Sequence, residues 1–195
     1  MTDLLDAEDL LVKPFPGVGR LMRVADRELD IAATGTPEQA HVLGDPRLLP
    51  RPWEPATCVS AALRAEVWAW LDAVVFWLNR EYTWDVNGTI PSCWPHHPHQ
   101  VHEIAVLADQ RRTAGQALSS DLLEDWHRYS LPSFTDRMHA RLRTHCEDGH
   151  QTWPAKGRHA RHNAEPAHDE RDNAFEADTA AARHSTSGDQ CRAPR

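Results

Sequence analysis

The clearest hydrophobic pattern in the chain lies between residues 57 and 82. Apolar side chains recur there at spacings of three and four, which places them on one stripe of an α-helix. The stripe consists of Val59, Leu63, Val67, Leu71, Val74, Leu78 and Tyr82. A series beside it, seven residues apart, consists of Trp70, Trp77 and Trp84. Trp68 and Phe76 fall on other faces, so we predict a long helix covered on more than one side, with Thr57 as its N-cap.

Weaker periodic segments predict three further helices. The first begins near Pro98, since proline is favoured in a first helical turn. Its inner face consists of Val101, Ile104, Leu107 and Ala108. The second is capped by Ser119 or Ser120 and is expected to break at Leu131-Pro132. The third begins near Ser133. The apolar residues of these two helices are Leu122, Leu123, Trp126, Phe134, Met138 and Leu142.

The two ends of the chain give weaker signals. A leucine-rich segment before Pro14 and Pro16 suggests a short amphipathic helix, and Leu21–Ile31 fits either a helix or a small hairpin. An extended linker is indicated by Pro37, Pro46, Pro50, Pro52 and Pro55. Apolar residues nearly vanish after Gln151, so the last segment cannot bury enough surface to offset its ordering entropy, although residues 174–183 suit a transient Ala-rich helix.

These patterns predict a mainly α protein whose centre is a small helical bundle or orthogonal helical array. We divide the chain into a partly ordered N-terminal extension (residues 1–52), a Trp-rich helical domain (residues 53–150) and a disordered tail (residues 151–195). The chain has eight Trp residues. Each indole removes roughly 150–250 Å² from water when it is buried, so a few of them supply much of a small core.

Charge argues against nucleic acid as a partner. The formal net charge is −8, and residues 151–195 carry seven basic and seven acidic side chains, so the whole excess lies in residues 1–150. A Trp stripe can stack bases of single-stranded nucleic acid, but that mode also needs a positively charged groove. Core packing is the better interpretation of the stripe, and an exposed part of it would suit a protein partner.

The chain shows no signal peptide, and its most apolar run, Val67–Leu78, is too short to span a bilayer. We therefore expect a cytoplasmic protein without membrane insertion. Four cysteines, Cys58, Cys93, Cys146 and Cys191, do not form the dense framework of a secreted disulfide-rich domain. In this setting they are expected to be thiols or metal ligands.

Two Cys-x3-His pairs are the most specific chemical pattern. Cys93 and His97 form the first pair, before the Pro98 helix, and Cys146 and His150 form the second, after the last helix. Two Cys and two His are a standard ligand set for tetrahedral zinc, so the pairs predict a zinc site joining two ends of the bundle. The alternative is that the cysteines are small buried hydrophobes and the histidines are surface or capping residues.

Other candidate chemistry is weak. His96, His97, His99 and His102 crowd a helix start, where the helix dipole disfavours a positive charge and keeps imidazole neutral; a solvated cluster is the alternative. Asp125, His127 and Ser130 lie close in sequence, but Asp125 and His127 are two residues apart and point in different directions on a helix. No Gly-x-Ser-x-Gly elbow, His-Glu-x-x-His motif or phosphate-binding loop occurs, which favours a non-enzymatic protein.

The order of several of these motifs resembles a Trp-rich actinobacterial family of unknown function, often encoded on plasmids and integrative conjugative elements. The resemblance covers about residues 65–150. It is carried by Trp77-Leu78, Tyr82, Trp84, Cys93-Trp94, His97-Pro98, Asp125-Trp126-His127, Leu131-Pro132 and Cys146…His150. The family favours a Trp-Trp-x-His-Pro-Glu run, from which Trp94–His99 departs. The resemblance implies a genomic setting and no reaction.

Two functions follow from the sequence. The first is an accessory or adaptor protein, in the setting of a mobile genetic element, that binds another protein of unknown identity. The alternative is a zinc-stabilised domain, structural or hydrolytic, that uses Cys93, His97, Cys146 and His150.

Overall fold

The computed structural model describes residues 10–83, 88–142, 145–146, 149–152 and 154–189. The chain divides into two compact units, Met1–His150 and Gln151–Arg195. The predicted fold class, a mainly α protein with a small helical array, is confirmed, and no strand occurs in the ranges just given. None of the described helices is both long and apolar enough to cross a membrane.

The first unit is an array of α-helices joined by short turns. Its helices are α1 (Arg20–Thr34), α2 (Pro37–Leu43), α3 (Ala61–Glu81), α4 (Pro98–Gln116), α5 (Asp121–Asp125) and α6 (Leu131–Leu142). A π-helical turn, Trp126–Ser130, joins α5 to α6. Single 3-10 turns lie at Pro46–Leu48, Pro55–Thr57 and Trp94–His96.

Helix α3 forms the centre of the core. The predicted stripe is buried from Leu63 to Leu78. The prediction is wrong at both ends of the stripe. Val59 precedes the helix and is 88% exposed, and Tyr82 follows the last helical residue and is also exposed. Thr57 is not the N-cap, because its hydroxyl instead accepts the N–H of Arg51 in a 3-10 turn. The rest of the core includes Ile104, Leu107, Trp126, Phe134 and Met138.

Core packing of the tryptophans is confirmed for those that the structure describes. Trp70, Trp77, Trp94 and Trp126 are buried, and Trp53 and Trp68 are half-buried. Buried indoles need a partner for the ring N–H. Trp126 donates to the carbonyl of Leu107 at 3.1 Å. Trp70 and Trp77 donate to backbone carbonyls of the N-terminal segment. Trp84 and Trp153 lie outside the described residues.

The N-terminal extension is, over its described part, built into the globular unit. The indoles of Trp70 and Trp77 donate to the carbonyls of Pro16 and Lys13, at 3.1 and 2.9 Å. We call the segment from Lys13 to Pro16 the strap. The amphipathic helix expected before Pro14 lies mostly outside the described residues, and Leu10–Val12 are not helical. The ambiguous run after the strap is helix α1, and its Met22 and Ala25 are buried.

The carboxylate of Glu66 on α3 caps α1. The first N–H groups of a helix have no partner within the helix, and Glu66 accepts those of Leu21 and Met22 at 3.1 and 2.7 Å. Gly19 provides the space, because a Cβ atom there would lie 2.2 Å from Cδ of Glu66. Beyond this cap, Arg112 of α4 binds Asp26 of α1 at 2.9 Å. Residues far apart in sequence therefore determine where α1 packs.

Two local expectations are wrong for identifiable reasons. The proline linker contains helix α2, because Thr36 and Gln39 form a capping box and Pro37 occupies the first helical position. Leu131-Pro132 does not break the helical run from Asp121 to Leu142. The π-helical turn widens the helix just before Pro132, and the N–H of Leu131 bonds the carbonyl of Trp126, five residues earlier. The proline ring is thereby accommodated without a break.

The second unit contains α7 (Lys156–His162) and α8 (Glu165–Asp189). Helix α8 includes the Ala-rich segment 174–183. No described side chain of this unit is buried. Helices that bury no face depend on local propensity alone and are marginal in water. The described part of this unit therefore builds no core, as the scarcity of apolar residues predicts.

The Glu66 cap gives a test of how α1 is held. Glu66→Ala should lower the free energy of unfolding by about 1.5–3 kcal/mol, because the partly buried N–H groups of Leu21 and Met22 lose a charged acceptor. Glu66→Gln keeps one acceptor and should cost less. Chemical denaturation measures both, with Asp30→Ala on the exposed side of α1 as the control. Equal stability of Glu66→Ala and wild type would contradict the capping role.

Candidate metal centre

The first Cys-His pair is positioned by a buried indole. Trp94 begins the 3-10 turn between Cys93 and His97, is 3% exposed, and packs against Trp68 with ring centroids 5.9 Å apart. His97 directly precedes α4, and its carbonyl accepts the N–H groups of Gln100 and Val101. The pair is therefore fixed between the core and the first turn of α4, with Cys93 half-buried and His97 only 7% exposed.

The second pair follows the last turn of α6. The N–H of His145 bonds the carbonyl of Leu142 and continues the turn towards Cys146. Gly149 has φ = +116°, a conformation that favours glycine, and its N–H lies 3.4 Å from the carbonyl of Cys146. This bend brings His150 back towards Cys146.

The structure brings all four predicted ligands together. One ligand atom from each of Cys93, His97, Cys146 and His150 lies within 4.8 Å of the other three. The Nε2 atom of His97 is 3.4 Å from both Sγ atoms, and the ring centroids of His97 and His150 are 5.1 Å apart. Cys58, Cys93 and Cys146 are free thiols. The four side chains can therefore hold a metal ion.

The distances suit a tetrahedral ion. With metal–sulfur bonds of about 2.3 Å and metal–nitrogen bonds of about 2.0–2.1 Å, tetrahedral geometry separates sulfur from nitrogen by roughly 3.5 Å. The two sulfur–nitrogen distances at His97 already have this value. No two of the four ligand atoms are more than 4.8 Å apart, so an approach of roughly an ångström completes the tetrahedral spacing.

The electrostatics of the cluster favour the ligand form of His97. Burial lowers the pKa of His97, and positive charge on His150, His99, His145 and His96 would lower it further. The helix-dipole argument predicted neutral histidines here, but burial is the larger cause. Burial, together with the hydrogen bond and charge of Cys146, raises the pKa of the Cys93 thiol. A bound cation would reverse that preference, because it favours the thiolate.

Ion pairs between α4 and α6 help to fix the position of one Cys-His pair relative to the other. Glu103, six residues after His97, accepts hydrogen bonds from Arg137, at 2.8 Å, and from Arg141. The same groups act on His99: burial and the charge of Arg141 lower its pKa, while Glu103 opposes the shift. This pairing has no signal in the sequence, because a contact between separate helices leaves no local pattern.

The Ser-His-Asp arrangement is absent from the residues that the structure describes. His127 contacts neither Asp125 nor Ser130 by a hydrogen bond; its Nε2 lies 3.0 Å from the hydroxyl of Tyr82. The rings of Tyr82, Trp126 and His127 pack together there. The contact between Tyr82 and His127 links the end of α3 to the π-helical turn.

Comparison with protein-family models, with curated proteins and with solved structures finds no match to this chain. The resemblance to the Trp-rich actinobacterial family therefore stays a prediction.

Proposed function

We propose that the first unit is a zinc-stabilised, non-enzymatic helical domain whose ion is held by Cys93, His97, Cys146 and His150. The observation that carries the proposal is the convergence of two thiols and two imidazoles, from segments 49 residues apart, within 4.8 Å. Neutral imidazole at His97 and two free thiols are the donors that zinc prefers. The ion would link the start of α4 to the end of α6.

A structural role is favoured over a hydrolytic one by the number of ligands. Four protein side chains complete a tetrahedral shell, whereas catalytic zinc keeps a position open for water. A hydrolytic site would also need a general base within reach of that water. Closing the long segment between His97 and Cys146 restricts the unfolded chain, which is how such a link stabilises a fold.

Zinc content and thermal stability test this function. The full chain, purified without a His tag, should contain one zinc per molecule by elemental analysis. With free zinc a thousandfold above its Kd, binding stabilises the fold by about 4 kcal/mol, which corresponds to roughly 8–16 °C in melting temperature for a unit of this size. Chelation should remove that increment.

Cys146→Ala should lose both the zinc and the stabilisation. Cys58→Ala is the matched control, because Cys58 is a fully buried thiol outside the cluster; this variant should keep its zinc. Metal-free wild-type protein whose melting temperature is unchanged by chelator would exclude the function.

A second candidate is an accessory protein that binds another protein, and a groove of about 460 Å³ between α4 and the π-helical turn favours it. Val106 and Tyr129 are exposed in this groove, and the ion pair of Glu103 and Arg137 lines it. Exposed aromatic side chains beside polar groups are typical anchors for a protein partner. The tryptophans expected in this role are buried or half-buried wherever they are described. The mobile-element setting stays an expectation from the resemblance.

Crosslinking capture from the host cell, followed by affinity measurement with the purified partner, tests this second candidate. Tyr129→Ala should weaken binding by about 30-fold, the effect of losing an aromatic anchor. Leu118→Ala removes an exposed apolar side chain elsewhere and serves as the control. Equal binding by the wild type and both variants would contradict the role of this groove.

A further inference from the structure

Helix α3 carries an apolar face that no described element of the fold covers. Phe76 is 69% exposed, although the sequence pattern suggested that its side of the helix would be covered. Ala69, Asp72, Ala73 and Arg80 share this face and are also exposed. Together with the strap they line a groove of about 770 Å³. Solvent exposure of a large aromatic side chain in the middle of the central helix requires an explanation.

The charges on this face are arranged symmetrically about Phe76. Asp72 precedes Phe76 by four residues and Arg80 follows it by four, so each lies about 6 Å along the helix axis from the phenyl ring. Among the residues that the structure describes, the carboxylate of Asp72 has no partner. Within the same part of the chain, Arg80 pairs only with its neighbour Glu81, at 3.4 Å, and its side chain remains 45% exposed. Both charges are therefore accessible to a partner.

We propose that this face binds a second copy of the chain, with the two α3 helices antiparallel about a two-fold axis at Phe76. A two-fold axis places the same patch on both subunits, so that residue i meets residue j and j meets i. Asp72 of each copy then faces Arg80 of the other, and the two phenyl rings meet at the centre. Ala69 and Ala73, with their small side chains, leave room beside Phe76 for the partner's phenyl ring.

The charge pattern also sets the orientation. Parallel helices would place Asp72 opposite Asp72 and Arg80 opposite Arg80, and like charges facing each other suppress that arrangement. A patch that carries one acidic and one basic residue, equally spaced from an aromatic centre, is complementary to itself. The inference does not depend on zinc binding, since none of these residues belongs to the metal cluster.

Charge reversal tests the dimer. Sedimentation equilibrium of the full chain at concentrations up to about 1 mM should show a monomer–dimer equilibrium. Asp72→Arg places two basic residues together across each half of the interface and should weaken association by at least about tenfold. The double variant Asp72→Arg with Arg80→Asp exchanges the two signs and should restore association. Asp30→Arg, on α1, is the matched control.

Circular dichroism melts and zinc content of each variant separate a folding defect from a lost interface. If Asp72→Arg lowers the melting temperature, Asp72→Asn gives the milder test and should weaken association by a smaller factor. A wild type that remains monomeric throughout, or a double variant that associates no better than Asp72→Arg, would overturn the proposal. Neither result would affect the zinc measurement, so the two proposals fail independently.

Discussion

The packing of α4 against α6 determines where every candidate metal ligand lies. Ile104 on α4 and Phe134 and Met138 on α6 belong to the same core, while Glu103 binds two arginines of α6 at the surface. These contacts place the N-terminal end of one helix beside the C-terminal end of the other. Because each Cys-His pair adjoins one of those ends, the four side chains meet without any long connecting loop around the site.

Tryptophan side chains give this arrangement its rigidity. The indole of Trp94 fixes the turn that carries Cys93 and His97, and Trp126 links the π-helical turn to α4 through the carbonyl of Leu107. Trp70 and Trp77 hold the strap against α3. Trp70, Trp77 and Trp126 each combine a large apolar surface with an N–H group that donates to a backbone carbonyl, so each specifies both the packing and the position of a backbone segment.

Much of this was predictable from local pattern. The 3.6-residue periodicity predicts α3, α4 and the apolar face of α6, and the two matching Cys-x3-His spacings predict that Cys93, His97, Cys146 and His150 come together. The remaining features depend on contacts that periodicity does not encode. Glu66 caps α1 from 45 residues away, and the π-helical turn before Pro132 is a compromise between a proline and a helix already held by core packing. Phe76 shows the same limit, because an apolar residue on a second face of a helix does not reveal whether another element covers it.

In the proposed site, one ion is bound by two sulfur and two nitrogen atoms. X-ray absorption spectroscopy of the zinc-loaded full chain measures this shell directly. We predict two sulfur neighbours at about 2.3 Å and two nitrogen neighbours at about 2.0–2.1 Å, with no further ligand at bonding distance. A shell made only of oxygen and nitrogen, or one without two sulfurs, would contradict it.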